Sequence, residues 1–328
     1  MRHVSRLSLL ATVAVASLAL AACSSGEAAP EASSEEKVAV LHSEPEGSPW
    51  SDLVYDGVAS LEADGVTVKR IAGFETAAAE QQIQTAAEQG FNPIVVMEDS
   101  LSEAGLSVAE AFPDTDFILF NTVAVSDLPN VETVIISPVS AAYVAGVVAA
   151  STTETGQLGF VGGADVPPIA NYLCGFTNGV ESTGLDVTIN TVYAGVFDDP
   201  TVGHDLAVSL FDGGSDIVMH AAALTGLGVI AAAEETGKKA IGVDLWQGDV
   251  APGFVLWNAL KDGGGASKTL VEQALAGDFT GGQITWGSDG TPIALFDDRD
   301  LDALPADLQA TVTEAVAGLE DGSISVTC

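Results

Sequence analysis

The sequence predicts an α/β protein built from two Rossmann-like lobes. Short strands rich in Val and Ile alternate with helical stretches along the chain, and the strands show no regular polar alternation. Such strands are typical of a parallel sheet that helices cover on both faces. The 328 residues contain more strand–helix units than one doubly wound sheet usually carries. Two lobes of about 100–150 residues each are therefore the natural arrangement.

The elements follow one another in a regular order. The first half predicts strands over 37–42, 67–71, 93–97, 116–121 and 132–137, with helices over 51–64, 76–89 and 100–111. A helix over 140–152 opens the second half. It is followed by strands over 157–161, 186–193, 217–221 and 239–243, with helices over 169–182, 201–213 and 226–236 and one near 264–275.

The chain is strongly acidic, and this charge argues against nucleic acids and untethered anionic membranes as partners. Ten Lys and Arg stand against 46 Asp and Glu, which gives a formal net charge of −36. A chain this acidic repels phosphate backbones, so we expect no nucleic-acid partner. It also avoids anionic membrane surfaces unless it is tethered. With 3 Cys and 4 His, we expect neither a metal site nor a cofactor.

The N-terminus has the pattern of an exported lipoprotein. A short basic stretch precedes an apolar run over 7–22, which is shorter than the roughly 20 residues of a membrane span and is typical of a secretory signal. The run ends in Leu-Ala-Ala-Cys at Cys23, which resembles the bacterial lipobox. We therefore predict a signal peptide over 1–22, acylation with palmitate at Cys23 and a flexible tether over 23–36. An ordinary signal peptide with a chance cysteine is the alternative.

These features place the protein at the extracytoplasmic face of a bacterial cell membrane, held there by lipid. No later segment has 18 consecutive apolar residues, so we expect the folded part to lie outside the bilayer. Such a compartment permits disulfides. Cys174 and Cys328 are a possible pair, and the alternative for Cys174 is a small buried apolar residue.

The sequence contains no recognisable catalytic set. It has no Gly-x-Ser-x-Gly motif, and the spacing of its histidines fits neither a metalloprotease motif nor a catalytic triad; these are His3, His42, His204 and His220. We therefore expect a binding protein and no catalytic residues. An extracytoplasmic hydrolase or nucleosidase is the alternative from a different functional class.

Two glycine-rich turns follow predicted strands. The turn at Gly159–Gly163 lacks the spacing of a phosphate-binding loop, whereas Thr225–Gly228 opens a helix whose backbone N–H groups could point at a ligand. The alternative for both is a plain strand-to-helix turn.

Aromatic and acidic residues follow several strands, at the edge where a cleft between lobes is expected. Trp50, Phe197 and Trp246 are the aromatic residues, and together they suggest stacking on a planar ligand; single aromatic residues in loops also cover cores. Asp244 closes a buried strand. It could accept two hydroxyl hydrogen bonds from a ribose, or it could be a helix N-cap.

Taken together, several stretches resemble the basic membrane protein family. Its members are bacterial lipoproteins that serve as substrate-binding components of ABC transporters, purine nucleoside receptors among them. The resemblance extends from about Lys37 to Phe296. The matching stretches are, in order, YVAG at 143–146, GFVGGADVPPI at 159–169, YAGVFDDP at 193–200, and TGLGVI at 225–230 with KKAIGVD at 238–244.

The resemblance implies the type I periplasmic-binding-protein fold, in which two α/β lobes are joined by three hinge crossings and close on a ligand. It implies crossings near Ser137, Asp244 and Gly282. The N-terminal lobe then comprises 37–137 with 245–282, and the C-terminal lobe comprises 138–244 with 283–328. The implied partners are a small-molecule ligand, foremost a purine nucleoside, and an ABC permease in the membrane.

The resemblance also implies roles for individual residues. Trp50 and Phe197 would stack on the base, Asp244 would hold ribose hydroxyls, and Lys261 would add a polar contact. The turn at Gly226 would approach the ligand through its backbone. The full expected set is Trp50, Ser51, Asp52, Asn121, Phe197, Thr225, Gly226, Gly228, Asp244, Trp246 and Lys261.

Several positions depart from the family pattern. The family's Ser-Phe-Asn reads Pro49-Trp50-Ser51 here, and the acid ahead of it is absent unless Glu44 or Glu46 takes its place. The family's Asp after the fourth strand is Asn121, and the acid two residues after the ribose Asp is Trp246. An Asn both donates and accepts hydrogen bonds, so base recognition can differ. A free sugar or polyol remains an alternative ligand, and a ligand sensor remains an alternative role.

Overall fold

The structure, a computed structural model, describes residues 36–287 and 296–328, and two parallel β-sheets organise it. The first sheet consists of β1 (Lys37–His42), β2 (Thr67–Ala72), β3 (Ile94–Met97), β4 (Phe117–Phe120), β5 (Val131–Ile136) and β11 (Gly282–Trp286). Their order across the sheet is β2-β1-β3-β4-β5-β11, and neighbouring strands pair in parallel.

The second sheet repeats the same winding. It consists of β6 (Gln157–Gly162), β7 (Thr188–Tyr193), β8 (Ile217–Ala221), β9 (Lys239–Asp244) and β10 (Val255–Leu260). The order is β7-β6-β8-β9-β10, again with parallel pairing. The prediction of two parallel-sheet α/β lobes is confirmed.

Helices cover both sheets. Those of the first lobe are α1 (Pro49–Ala59), α2 (Ala79–Glu88), α3 (Ser102–Ala111) and α8 (Gly263–Leu275). Those of the second lobe are α4 (Val139–Thr152), α5 (Pro167–Ser182), α6 (Pro200–Asp212), α7 (Ala223–Thr236), α9 (Asp298–Ala303) and α10 (Ala306–Glu320). Short 3-10 turns occupy Ser60–Asp64, Thr76–Ala78 and Asp99–Leu101.

The packing of β1 shows why the strands lack polar alternation. Val40 packs in the same apolar cluster as Val54 of α1, whereas the next residue, Leu41, packs with Ile83 of α2 on the opposite face. Successive side chains of a strand point to opposite faces. Because both faces are covered, the central positions of β1, Val38 to Leu41, are all apolar.

Two of the three crossings lie later in the chain than expected. The first is near Ser137, since β5 belongs to the first sheet and α4 packs in the second lobe. The second lies near Lys261 rather than Asp244, because β10 extends the second sheet beside β9. The third follows Trp286 rather than Gly282, because β11 pairs with β5. Residues 245–260 therefore belong to the second lobe and residues 283–286 to the first, which corrects the expected boundaries. Parallel strand pairing decides to which lobe a strand belongs, and sequence periodicity does not reveal this pairing.

Each sheet reverses its strand order at one point. In the first sheet this topological switch lies between β1 and β3, and in the second it lies between β6 and β8. The loops that leave the carboxyl ends of these strands diverge to opposite faces and leave a crevice. Ser43 and Glu98 follow β1 and β3, and Gly163 and Ala222 follow β6 and β8.

A disulfide joins Cys174 of α5 to the C-terminal residue Cys328, across a sequence separation of 154 residues. The bond fastens the end of the chain beyond α10 to the second lobe. Both cysteines are accounted for by this bond, so the alternative of Cys174 as a simple buried apolar residue does not hold in the structure.

No helix among the described residues is long and apolar enough to cross a membrane. The predicted signal peptide over 1–22, the acylated Cys23 and all but the last residue of the predicted tether over 23–36 lie outside the described residues.

Candidate functional site

A cavity of about 490 Å³ lies where the loops of both switch points meet. Loops after β1, β3 and β4 line it from the first lobe. The second lobe contributes the loops after β7 and β8, the first turns of α5 and the last residue of β9, and Lys261 lines the cavity just after β10. Its lining residues are Ser43, Glu44, Pro45, Trp50, Thr76, Glu98, Asp99, Ser100, Asn121, Val166, Pro168, Ile169, Tyr172, Phe197, Asp198, Ala221, Ala222, Ala223, Asp244 and Lys261.

Unusual backbone conformations coincide with this cavity. Among the described residues, the non-glycine residues with positive φ are Glu98 (76°), Asn121 (59°), Ala223 (47°) and Asp244 (68°). All four line the cavity. The left-handed region is costly for residues with a Cβ, and it is found mainly where function requires a particular side-chain direction. This clustering is an independent reason to take the cavity as the candidate functional site.

A buried charged cluster centres on Asp244. Its Oδ1 accepts a 2.7 Å hydrogen bond from the Tyr172 hydroxyl and lies 3.3 Å from Nζ of Lys261. Asp244 and Lys261 are only 8% and 7% exposed. Such burial lowers the pKa of Lys261, while the Asp244 carboxylate acts in the opposite direction. Burial, with the charge of Asp244, raises the pKa of Tyr172 well above its usual value, so this phenol stays a hydrogen-bond donor.

Aromatic rings line the cavity from both lobes. Trp50, in the first turn of α1, lies in the first lobe with its ring centroid 6.2 Å from that of Phe120. Nζ of Lys261 lies 3.7 Å from the Trp50 ring centroid, within cation–π range. Phe197, in the loop between β7 and α6, lines the second lobe, where its ring lies against Gly163; a Cβ at Gly163 would collide with that ring. The two predicted stacking residues therefore share one cavity.

Three carboxyl groups of the first lobe line the cavity, those of Glu44, Glu98 and Asp99. Glu44 accepts hydrogen bonds at Oε2 from the hydroxyls of Ser48 and Ser51, the latter at 2.7 Å. Burial raises the pKa of Glu44, and the nearby charges of Asp244 and Asp198 add to the effect. Burial also raises the pKa of Glu98, to about 7.

The charge of the cavity limits what can enter. Its lining contains five carboxyl groups and, among the described lining residues, Lys261 is the only cation. An anionic ligand would be repelled, whereas a neutral ligand rich in N–H and O–H donors would find acceptors. The glycine turns at Gly159–Gly163 and Thr225–Gly228 are therefore poor candidates for phosphate binding.

Two of the expected ligand residues lie at the base of α1, outside the cavity lining. Ser51 is fully buried and donates its hydroxyl to Glu44. Asp52 forms an ion pair with Arg70 of β2. Ser51 therefore acts on the cavity through Glu44, and Asp52 connects α1 to β2.

The turn at the start of α7 packs against protein rather than lining the cavity. The Thr225 hydroxyl accepts a hydrogen bond from the backbone N–H of Asp199 at 3.0 Å. A Cβ at Gly226 would collide with the His220 ring, and one at Gly228 would collide with the carbonyl oxygen of Pro200. The expected backbone approach to ligand is therefore replaced by close packing of α7 on α6 and β8.

Trp246 also lies outside the cavity lining. Its Nε1 donates to Oδ1 of Asp300 at 3.1 Å, and the Arg299 guanidinium lies 3.5 Å from the ring centroid. Trp246 thus packs beneath α9. The expectation of a second tryptophan wall in the cleft is corrected, because the loop after Asp244 turns away towards α9.

Sequence reasoning missed Tyr172 and Glu98. The signal for Glu98 was present, because it directly follows the buried strand β3, much as Asp244 closes the buried strand β9. Tyr172 sits one helical turn beyond Pro168 and Ile169, so its approach to Asp244 depends on how α5 meets β9. The alternative reading of Asp244 as an N-cap is not what the structure shows, since a loop follows β9.

No group of three or more His, Cys, Asp or Glu among the described residues is arranged to hold a metal ion. His220 and His204 make contacts outside the cavity lining. His220, whose pKa burial lowers to about 4, contacts the Gln247 side chain at 3.0 Å, and His204 pairs with Glu235 on the surface.

The chain is similar to a family of binding proteins and to several individual bacterial proteins. Residues 36–305 match the family described as ABC transporter substrate-binding protein PnrA-like. The ABC transporter nucleoside-binding protein BmpA of Lactococcus lactis subsp. cremoris is 28% identical over 260 residues, which cover 74% of this chain and 73% of that protein. The CD4+ T-cell-stimulating antigen of Listeria monocytogenes is 31% identical over 261 residues, covering 74% and 72% of the two chains.

A solved structure gives the same picture of the fold. A solute-binding protein of an ABC transporter system from Aeropyrum pernix K1 superimposes with a TM-score of 0.78 at 23% identity, over 88% of this chain and 92% of that one. The resemblance found in the sequence is thus confirmed, as is the fold that it implied. The chain belongs to the PnrA-like family of ABC transporter substrate-binding proteins.

Proposed function

We propose that this protein is the lipid-anchored, extracytoplasmic binding component of an ABC importer and that it binds a nucleoside, foremost a purine nucleoside, without altering it. The single observation that carries the ligand proposal is the cavity in which a buried Asp244 carboxylate faces the same space as aromatic rings from both lobes. The nucleoside-binding relative from Lactococcus lactis supports the same ligand class.

Asp244 is the proposed ribose-binding group. Among the described residues, the partners of the Asp244 carboxylate are Tyr172 and Lys261, and both reach Oδ1. The lone pairs of Oδ2 are thus left for ligand hydroxyls. Each charge-assisted hydrogen bond contributes about 1.5–3 kcal/mol. A vicinal diol could therefore gain most of its binding energy here.

Trp50 and Phe197 are the proposed stacking residues, one from each lobe. Base stacking on an aromatic side chain contributes roughly 1–3 kcal/mol per base. Two stacked faces and two bonds to Asp244 together reach about −8 kcal/mol, which corresponds to micromolar affinity. Since the rings come from different lobes, the ligand would hold the lobes together, and the closed form is the one we expect a permease to engage.

We expect side chains of the first lobe to form the hydrogen bonds to the base. Asn121 follows β4 with a left-handed backbone and lines the cavity, so its amide can both donate to and accept from a base. Glu44 offers Oε1 as an acceptor, because the described donors to its carboxylate, Ser48 and Ser51, both reach Oε2. In this proposal Glu44 takes the place of the family acid that precedes the aromatic position.

Lipid anchoring is proposed from the leader and Cys23. Labelling cells with a palmitate analogue tests it: wild-type protein should carry the label in the membrane fraction, and Cys23→Ser should not. Label retained in the variant would contradict acylation at this residue.

Titration calorimetry with inosine, guanosine, adenosine, uridine and ribose tests the ligand. We expect micromolar or tighter binding of purine nucleosides and weaker binding of ribose, since ribose lacks the stacked base. Absence of binding by every nucleoside would overturn the ligand proposal. Analysis of the recovered nucleoside by chromatography should find no free base; release of base would favour the nucleosidase alternative.

A free sugar or polyol is the second candidate ligand. It drew support from two tryptophans near the cleft, but Trp246 packs under α9 instead. Equal affinity for ribose and for its purine nucleosides would favour this candidate. A sensor role uses the same site and would be favoured if deleting the cognate permease left the ligand response intact.

A further inference from the structure

Ser43 and Glu98 lie side by side at the switch point of the first sheet. Ser43 directly follows β1, Glu98 directly follows β3, and these strands are neighbours. Both residues line the cavity. The inference developed from this pair rests on the proposed function, because it concerns which bases the cavity accepts.

The carboxylate of Glu98 holds the loop that leaves β1. Its Oε1 accepts the backbone N–H groups of Ser43 at 3.0 Å and Glu44 at 3.3 Å, while its Oε2 accepts the Ser43 hydroxyl. The hydroxyl of Ser100 lies 3.5 Å from the same Oε2, at the limit of a hydrogen bond. Oε2 and the hydroxyl of Ser43 therefore form one polar unit on the cavity wall.

A serine hydroxyl has one proton and two lone pairs. When Glu98 is ionised, the Ser43 proton points at Oε2, and Ser43 can only accept a hydrogen bond from a ligand. When Glu98 is protonated, its own O–H can donate to Ser43, and the Ser43 proton becomes free for the ligand. We propose that the Ser43–Glu98 pair sets the hydrogen-bond polarity of this cavity wall and thereby selects which base edge the cavity accepts.

Glu98 is poised to change between these forms near neutral pH. Burial raises its pKa to about 7, and the neighbouring Glu44 adds to the rise, against the hydrogen bonds from Ser43. Other charged groups share the cavity and must be separated from this effect. They are Asp99 beside Glu98, and Asp198, Asp244 and Lys261 across the cavity.

Inosine and adenosine are the matched probes for this polarity. They share the ribose and the stacking surface. Inosine has a hydrogen-bond donor at ring nitrogen 1 and an acceptor, its carbonyl oxygen, at carbon 6. Adenosine has the reverse: an acceptor at nitrogen 1 and a donor, its amino group, at carbon 6. Whichever of these two positions contacts Ser43, one nucleoside requires Ser43 to donate a hydrogen bond and the other requires it to accept one. The sign of the pH effect then reports which position is in contact.

The experiment is calorimetry of inosine and adenosine at several values between about pH 6 and about pH 8. The expected result is that the ratio of the two affinities changes by about tenfold or more across this range. The change should vanish in Ser43→Ala, which removes the switching hydroxyl, and in Glu98→Gln, which removes the titration. Glu132→Gln is the matched control, because burial raises the pKa of Glu132 to about 7 as well, but Glu132 lies in β5, outside the cavity lining. It should keep the pH dependence.

Each possible result of this experiment either supports or overturns the role of the Ser43–Glu98 pair. A constant ratio in the wild-type protein overturns the inference while leaving nucleoside binding itself intact. A changing ratio that persists in both Ser43→Ala and Glu98→Gln assigns the titration to another group and also overturns it. If no nucleoside binds at any pH, the proposed function fails and this inference fails with it. Ser43→Ala keeps the backbone bonds to Glu98 and guards against a folding defect in Glu98→Gln, which thermal unfolding would reveal.

Discussion

The hydroxyl of Tyr172 donates to the same oxygen of Asp244 that lies 3.3 Å from the Lys261 ammonium. Tyr172 belongs to α5, and Lys261 lies where the chain leaves β10 for the first lobe. Both partners that the described part of the chain gives this carboxylate reach Oδ1, so Oδ2 keeps its capacity to accept hydrogen bonds. The two contacts also fix the orientation of the carboxylate. In the proposed function, this arrangement prepares Asp244 to bind the ribose diol without further reorganisation.

Asp244→Asn should weaken nucleoside binding about 100-fold or more. The variant loses the charge in two hydrogen bonds to the ribose, each worth about 1.5–3 kcal/mol, and it leaves the buried Lys261 without the negative charge beside it. Calorimetry with the best purine nucleoside measures the effect. Asp186→Asn, on an exposed loop, is the control. Wild-type affinity in Asp244→Asn would place the ribose elsewhere.

Tyr172→Phe should weaken binding more mildly, by about 5- to 10-fold. The ring keeps its packing, but Asp244 loses a hydrogen bond that fixes its orientation, a loss of about 1 kcal/mol. The same titration checks it. An effect as large as that of Asp244→Asn would mean that Tyr172 touches the ligand directly.

Trp50→Ala should weaken binding about 10- to 100-fold, whereas Trp50→Phe should retain most of it. Stacking on the base contributes roughly 1–3 kcal/mol and needs an aromatic face rather than an indole. Quenching of tryptophan fluorescence by ligand should also fall in Trp50→Phe. If both Trp50→Ala and Asp244→Asn bind normally, the ligand site lies outside this cavity.

Glu132→Gln should raise the free energy of unfolding at about pH 8 by up to about 3 kcal/mol and leave it unchanged near pH 4. Burial raises the folded-state pKa of Glu132 from 4.5 to about 7. The folded state therefore favours the protonated form, and stability is lost as the pH rises from about 4.5 through about 7. Urea unfolding at both pH values measures this. Glu110→Gln, exposed on α3, should show no such difference.

Replacing both Cys174 and Cys328 by Ser should lower the stability of the second lobe. Loop-closure entropy for a separation of 154 residues sets an upper value of about 5 kcal/mol. The bond is outside the cavity lining, so nucleoside affinity measured below the unfolding temperature should stay within about twofold. A melting temperature that does not respond to the double substitution or to reductant would contradict a stabilising role.

The sequence by itself predicted the two lobes and much of the candidate site. Val- and Ile-rich strands such as 37–42 have two buried faces, and this local property predicts a covered parallel sheet. Trp50, Asn121, Phe197, Asp244 and Lys261 were all predicted and all line one cavity. Trp50, Phe197 and Asp244 were predicted because residues at the carboxyl ends of buried strands gather at one edge of a parallel sheet. Asn121 and Lys261 were implied by the family resemblance.

Only the tertiary structure decided which residues act together. Strand pairing placed β10 in the second sheet and moved the crossing to Lys261. Close packing of α7 removed Gly226 and Gly228 from the cavity, and the loop after Asp244 carried Trp246 under α9. These outcomes depend on contacts between residues far apart in the chain, which local periodicity does not encode. The pairing of Ser43 with Glu98, 55 residues apart, arises in the same way, from two neighbouring strands that end at one crevice.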